Sequence, residues 1–251
     1  MKYVHKPTKV PKHFIKKYHP VCIDNFFDDP KLIRDFGLKL PLTPDSTGAW
    51  PGARSQNIME THHELGALLI LKILSAYYDI DYHLLSWESS TVQFQSVNKF
   101  DNKKTDATNK GWIHQDAGSS LAALIYLSPN IDIESGTSIF RKNNKQYSTF
   151  QTNPQKHLLL KNKKINKTLY EKEFKINQES FEETIKFGNI YNRMIAYDAN
   201  EWHRANSYFN EERFFMVFFI GGLKIDGLTP MERVKNKIAF DDPIKNVIGS
   251  L

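Results

Sequence analysis

His114 and Asp116 stand two residues apart in "NKGWIHQDAGSS" (109–120), between a tryptophan and a run of small residues. Alternate side chains of an extended chain share a face, so the imidazole and the carboxylate aim at a common point. That gives a divalent ion two donors. Two donors do not complete a site, and a bare His-x-Asp is common in exposed turns. The chemistry rests on a third ligand.

His203 is the candidate. It sits at the mouth of a loop between two apolar strands in "NRMIAYDANEWHRANSYFNEERFFMVFFI". From there it can face the segment carrying His114 and Asp116 across a small barrel or double-sheet jelly roll. Two histidines and one carboxylate suit non-haem Fe(II) and leave one octahedral face open for a co-substrate and dioxygen. Zinc more often takes a tetrahedral His or Cys set, and the chain holds a single cysteine, Cys22. The other histidines are weaker candidates. His62 and His63 are adjacent in a first helical turn and diverge; His5, His13, His19 and His83 precede the strand-rich half, and His157 lies in a lysine-rich stretch.

Arg213 opens the apolar strand "RFFMVFFI" ten positions after His203. A buried cation needs an anion. A guanidinium fork suits a bidentate carboxylate; Glu211, Glu212 or an acid on a neighbouring strand would satisfy it equally.

The elements that must position these groups follow from pattern. With 251 residues, 40% hydrophobic and 25% charged, the chain can bury a sizeable core, and one decorated domain is the natural expectation. No apolar run is long enough to span a membrane, and the lone Cys22, read as a small core residue, points to a reducing, cytoplasmic setting. A net charge of +6 invites a nucleic-acid reading, but the lysines gather in the N-terminal arm and in residues 142–188, the pattern of a solvated surface. "IDNFFDDPKLIRDFGLKL" reads as a short strand and a helix capped by Asp28 or Asp29, with Pro30 in its first turn. "THHELGALLILKILSAYYD" reads as a second helix, with Thr61 and Glu64 as a capping box. From "WESSTVQFQSV" onward the signals are strands: "GWIHQD", "LAALIYLS", "TSIFR", "NRMIAYD" and "RFFMVFFI". Helices first and strands later predict a sheet sandwich supported by helices on one side.

The segments "WIHQDAGSSLAALIYLSP", "SGTSIFR" and "YNRMIAYDANEWHRANSYFNEERFFMVFFI" resemble the core of the Fe(II)/2-oxoglutarate-dependent dioxygenases, closest in style to the prolyl 4-hydroxylase-like branch. The resemblance covers about residues 88–220. It implies a mainly β fold with supporting α: a double-stranded β-helix, or jelly roll, with the N-terminal helices packed on one sheet. It implies an arm and supporting helices over 1–87, a catalytic core over 88–223 and a C-terminal extension over 224–251.

His114, Asp116 and His203 match the iron ligands, Arg213 the residue that grips the far carboxylate of 2-oxoglutarate, and Tyr126 a tyrosine bonded to that same carboxylate. Gly136 and Thr137 match a "GGT"-like turn in which Ser135 replaces the first glycine. The implied activity is hydroxylation of a peptide side chain or small molecule, with Fe(II), 2-oxoglutarate and dioxygen as the cofactor and co-substrates and succinate and carbon dioxide released. Trp112, Trp202 and Phe218 are candidate aromatic walls, with core packing the alternative for Phe218.

Two departures matter. Phe219 stands where the nucleic-acid demethylase branch carries a second arginine, which argues against a specific nucleic-acid partner, and Phe215 stands where some members carry serine. Residues 142–188 form a long insertion, read as surface decoration ahead of a lid. A cupin-like metalloprotein with other chemistry, and a non-catalytic jelly-roll binding protein, are the alternatives.

Overall fold

An unbroken apolar run, unlike an alternating one, suits a strand buried on both faces. In the computed structural model, "RFFMVFFIG" is the centre of a seven-stranded antiparallel sheet. Across that sheet run β1 (Val21–Ile23), β9 (Met194–Asp198), β6 (Leu121–Tyr126), β11 (Arg213–Gly221), β5 (Ser89–Val97), β3 (Ala53–Arg54) and β2 (Thr43–Pro44). A second, three-stranded antiparallel sheet holds β10 (Trp202–Ala205), β7 (Thr137–Lys142) and β8 (Phe181–Phe187). The structure describes residues 18–46, 50–81, 84–143, 166–210, 212–225 and 241–251. The basic N-terminal arm through residue 17 with His5 and His13, and also His83, His157 and Glu211, lie outside the described residues.

The two-residue period of β11 divides the core. Phe214, Met216, Phe218 and Ile220 turn to one face and pack with helices α1 (Pro30–Lys39), α2 (Ile58–Thr61) and α3 (His63–Leu74). Phe215 and Val217 turn to the other, with Ile139 and Phe187 of the small sheet. Strands β6 and β9 divide the same way: Ala123 and Ala196 face the helices, Ala122 and Tyr197 the small sheet. Near residue 251, α5 (Asp241–Ser250) returns to the helical layer, where Ile244 is buried in the same core, and β12 (Lys224–Ile225) pairs with β4 (Leu85–Ser86). No helix among the described residues is long and apolar enough to cross a membrane.

Local signals explain some starts and stops and fail at others. Asp29 caps α1 by accepting from the Leu32 amide (3.1 Å), with Pro30 as the first helical residue. The Thr61–Glu64 capping box does not form. Asn57 instead caps the single turn α2 through the Met59 amide (3.2 Å), and α3 starts after His62 without a side-chain cap. Asn57 wins because its carboxamide also accepts from Val92 (2.9 Å) and donates to the Ser90 carbonyl (3.0 Å), tying the turn to β5. Cys22 is exposed on the edge strand β1, not a core residue. "GWIHQD" is extended but pairs as a strand at one residue only, His114 with His203.

The 142–188 stretch also departs from its sequence reading. Residues 144–165 lie outside the described residues, but the remainder is wired into the fold. Its helix α4 (Lys167–Glu179) starts at Asn166, whose carboxamide accepts from Leu169 (2.7 Å), and Lys167 pairs with Asp106. Its strand β8 completes the small sheet. Asn177, fully buried on α4, accepts from the Ile113 amide (2.9 Å) and donates to the Ile113 carbonyl (3.1 Å). Tyr170, also on α4, accepts from the Trp112 indole N–H (2.9 Å). An otherwise unpaired piece of backbone is held here by a helix instead of a sheet neighbour.

Replacing Asn177 by Ala leaves the buried Ile113 amide and carbonyl unpaired. We expect a loss of about 1–3 kcal/mol in urea unfolding, together with changed fluorescence from the neighbouring Trp112. An unchanged midpoint would show that α4 does not hold this segment.

Candidate metal centre

The site is built where two backbone stretches cross. The His114 amide donates to the His203 carbonyl (3.0 Å) and the His203 amide to the His114 carbonyl (2.9 Å), which sets the two rings 4.4 Å apart, centroid to centroid. Two residues on, the Asp116 amide donates to the Ala199 carbonyl (2.9 Å), and its side chain turns to the same side as His114. His203 Nε2 lies 3.1 Å from Asp116 Oδ2, and His114 Nε2 lies 3.6 Å from Asp116 Oδ1. The three donor atoms fall within 4.8 Å of one another, the one His, Cys, Asp and Glu group of this kind among the described residues.

Both imidazoles are oriented from behind. His114 Nδ1 is 2.8 Å from the Trp112 carbonyl and His203 Nδ1 is 2.9 Å from the Glu201 carbonyl. A carbonyl can only accept, so each Nδ1 carries a proton, and each Nε2 is the ring nitrogen aimed at the cluster. The carbonyls are themselves fixed. Asn177 and Tyr170 hold the Trp112–Ile113 segment. Asp198 shapes the loop before His203 by accepting from the Asn200 amide (2.9 Å) and the Tyr18 amide (3.1 Å).

Burial opposes a charge on Asp116, but His203, His114 and Arg54 outweigh it and hold the carboxyl at about 2. Burial likewise opposes protonation of His203, and the facing Asp116 carboxylate reverses that, raising its pKa. The donor chemistry fits a divalent cation: two oriented imidazole nitrogens and an ionised carboxylate, on one side of an open cavity.

That cavity, about 770 Å3, lies between the two sheets and takes in all three donors. Arg213 reaches it from β11, 1% exposed. Its Nε and Nη2 have no hydrogen-bond partner, and no described carboxylate forms an ion pair with it. Glu212, a candidate partner on sequence, lies beside Ser96 Oγ instead (3.5 Å). The guanidinium is enclosed by the rings of Phe215, Tyr126 and Tyr208, at 4.9, 5.7 and 5.9 Å. Rings soften the loss of water but do not replace an anion, so among the described residues the guanidinium keeps its capacity to bind one.

Tyr126 is buried beside Arg213. Its hydroxyl donates to Thr137 Oγ1 (2.9 Å), and it is Thr137 that lines the cavity. Gly136, just before it, has no room for a side chain: a Cβ there would stand 1.8 Å from the Phe187 carbonyl oxygen. Trp112, Trp202, Phe215 and Phe219 line the cavity, whereas Phe218 is in the helix-side core.

Sequence reasoning missed Arg54, Gln95 and Tyr208 in the cavity wall, and Asn177 and Tyr170 behind it. Arg54 gave no signal as a lone cation in a Pro/Gly-rich loop. The φ of +74° at Gly52, where a Cβ would meet the Ser96 carbonyl at 2.0 Å, lets that loop lie against β5 and become β3.

The fold is similar to that of several solved structures, all distant in sequence. HygX from Streptomyces hygroscopicus with nickel and 2-oxoglutarate bound is 11% identical, with a TM-score of 0.45 over 81% of this chain and 83% of that one. A prolyl hydroxylase from Trichoplax adhaerens, in complex with a hypoxia inducible factor peptide fragment, is 11% identical, with a TM-score of 0.47 over 81% and 83%. A Pseudomonas putida prolyl-4-hydroxylase is 9% identical, with a TM-score of 0.42 over 81% and 92%. No curated protein sequence matches the chain. One family model does, over residues 7–209, and it spans the strands and loops that carry His114, Asp116 and His203: the chain belongs to the family of unknown function DUF6445.

Proposed function

We propose that this chain is an Fe(II)- and 2-oxoglutarate-dependent oxygenase that hydroxylates a peptide side chain or small molecule. One observation carries the reading: a single cavity holds both an oriented donor set of two histidines and one aspartate and a buried arginine with no anionic partner among the described residues. A metal site for other chemistry explains the first and leaves Arg213 without a purpose. A binding module explains neither.

His114, Asp116 and His203 would hold the iron, the two rings fixed by the Trp112 and Glu201 carbonyls. Arg213 binds the far carboxylate of 2-oxoglutarate and so orients the co-substrate. Tyr126 acts behind Thr137, buttressing that end of the cavity. Trp112, Trp202 and Phe215 exclude water from the wall. With dioxygen, the bound group supplies an oxidation in which one oxygen atom enters the substrate and the other enters succinate, with carbon dioxide released. In the oxygenase superfamily that the chain resembles, halogenating members carry Gly or Ala in place of the carboxylate ligand; Asp116 fills that position here, which favours hydroxylation. The two facing sheets are read as a double-stranded β-helix over residues 88–223, with 1–87 as its support and 224–251 as an extension.

Succinate formation under Fe(II), 2-oxoglutarate and dioxygen, with and without each component, tests the reading; no metal-dependent succinate from pure, folded protein refutes it. His203→Ala should abolish that turnover while circular dichroism stays native, and undiminished turnover would remove His203 from the ligand set. Arg213→Ala should weaken 2-oxoglutarate by about 2–5 kcal/mol, seen as a steep rise in its apparent KM with metal binding retained. Equal affinity would leave Arg213 without the role given to it.

A further inference from the structure

Arg54 is the second cation in the cavity wall: it attracts the Asp116 carboxylate through space without forming an ion pair with it, and the co-substrate does not account for it. Its Nε donates to Gln95 Oε1 (2.9 Å), and Gln95 is in turn anchored through its amide to the Pro51 carbonyl (2.6 Å). Neither Nη nitrogen makes a hydrogen bond or ion pair with a described residue. The guanidinium lies 4.5 Å from the Trp50 ring centroid and 5.6 Å from that of Phe219, so both aromatic faces steady it. Its bonded edge is fixed and, among the described residues, its fork is free.

Charge decides what the fork can take. Among the lining residues the full charges are Arg54, Arg213 and Asp116; the two histidines count as neutral because a ligating imidazole is neutral. On the reading given above, the ion and Arg213 together carry three positive charges, and Asp116 with the 2-oxoglutarate dianion carries three negative ones. That set is balanced without Arg54. Asp116 and Asp45 attract Arg54 through space, but burial prevails and lowers its pKa to about 10. Arg54 thus adds one positive charge at the cavity wall that Asp116 and Asp45 attract only from a distance, with a planar fork that no described residue occupies.

We propose that Arg54 is the substrate-anchoring residue and that the substrate carries a carboxylate bound by the free edge of its guanidinium. A monoanion balances the charge; a phosphate dianion would overshoot it, and a neutral substrate would leave it standing. The fork geometry matches a carboxylate bidentately. The proposal rests on the oxygenase reading, because the charge count does, and it narrows the substrate class to carboxylic acids, free or as part of a peptide. Phe219 contributes here as the face under Arg54, at a position where a second arginine would crowd it with like charge.

The test is binding calorimetry on oxygen-free protein loaded with Mn(II) and saturating 2-oxoglutarate. The probes are free L-amino acids and short aliphatic and aryl monocarboxylates, each against its own carboxamide; short peptides with free and amidated C-termini form the second arm. We expect acids to bind at least about tenfold more tightly than their amides, the range for a hydrogen-bonded charge in a partly buried site. Arg54→Gln should erase that preference, and Arg54→Lys, which keeps the charge and loses the fork, should restore part of it. A native protein with no acid preference overturns the proposal, as does a preference that survives Arg54→Gln. An equal loss of 2-oxoglutarate affinity in Arg54→Gln also overturns it, by moving Arg54 to the co-substrate. If native protein fails to bind 2-oxoglutarate, the oxygenase reading itself has failed and the proposal falls with it.

Discussion

The site depends on the pair of backbone hydrogen bonds that joins His114 to His203. These residues are far apart in sequence and belong to elements of different kinds, a nearly unpaired extended segment and the edge strand of the small sheet. The bridge brings their side chains to one side, and Asp116, two residues on, arrives there by the extended-chain period. Neither segment holds itself. The large sheet and its helical layer fix the loop before His203 through Asp198 and Tyr18, while α4 grips Trp112 and Ile113. The rigidity of the donor set is therefore borrowed from both sides of the fold.

A second constraint is the placement of charge in a dry space. Arg213 is buried in β11 with no carboxylate among the described residues to answer it, at a strand position where an apolar residue would pack with less penalty. Asp116 shows the converse: its ionised state is secured by the histidines and by Arg54, so the donor is in the protonation state a cation requires. The cavity thus presents separated regions of opposite character, a donor cluster and two cations, spaced between aromatic walls.

Much of this was legible in the sequence for physical reasons. Strands β5, β6, β7, β9 and β11 announced themselves through β-branched and aromatic runs, α1 through Asp29 and Pro30, and the donor cluster through the His-x-Asp spacing with a distal histidine. The failures share a cause as well. Asn177 and Tyr170 act through partners 64 and 58 residues away, inside a lysine-rich stretch whose composition reads as solvated surface. Only the helical phase that turns them inward separates them from decoration. Arg54 depends on a backbone approach that Gly52 permits, and no local pattern marks such an approach. Thr61 is taken up in the single turn α2, which Asn57 caps and ties to β5 through long-range bonds, so α3 starts without the local motif.

The central claim is that one cation and one dicarboxylate share the cavity between His114, Asp116, His203 and Arg213. Crystals grown without oxygen, with Mn(II) and 2-oxoglutarate, test it directly through anomalous scattering at the manganese edge. The account predicts a single anomalous peak bound by His114 Nε2, Asp116 and His203 Nε2, with a carboxylate of the 2-oxoglutarate on the Arg213 guanidinium. A peak elsewhere, or a dicarboxylate that leaves Arg213 untouched, would contradict it.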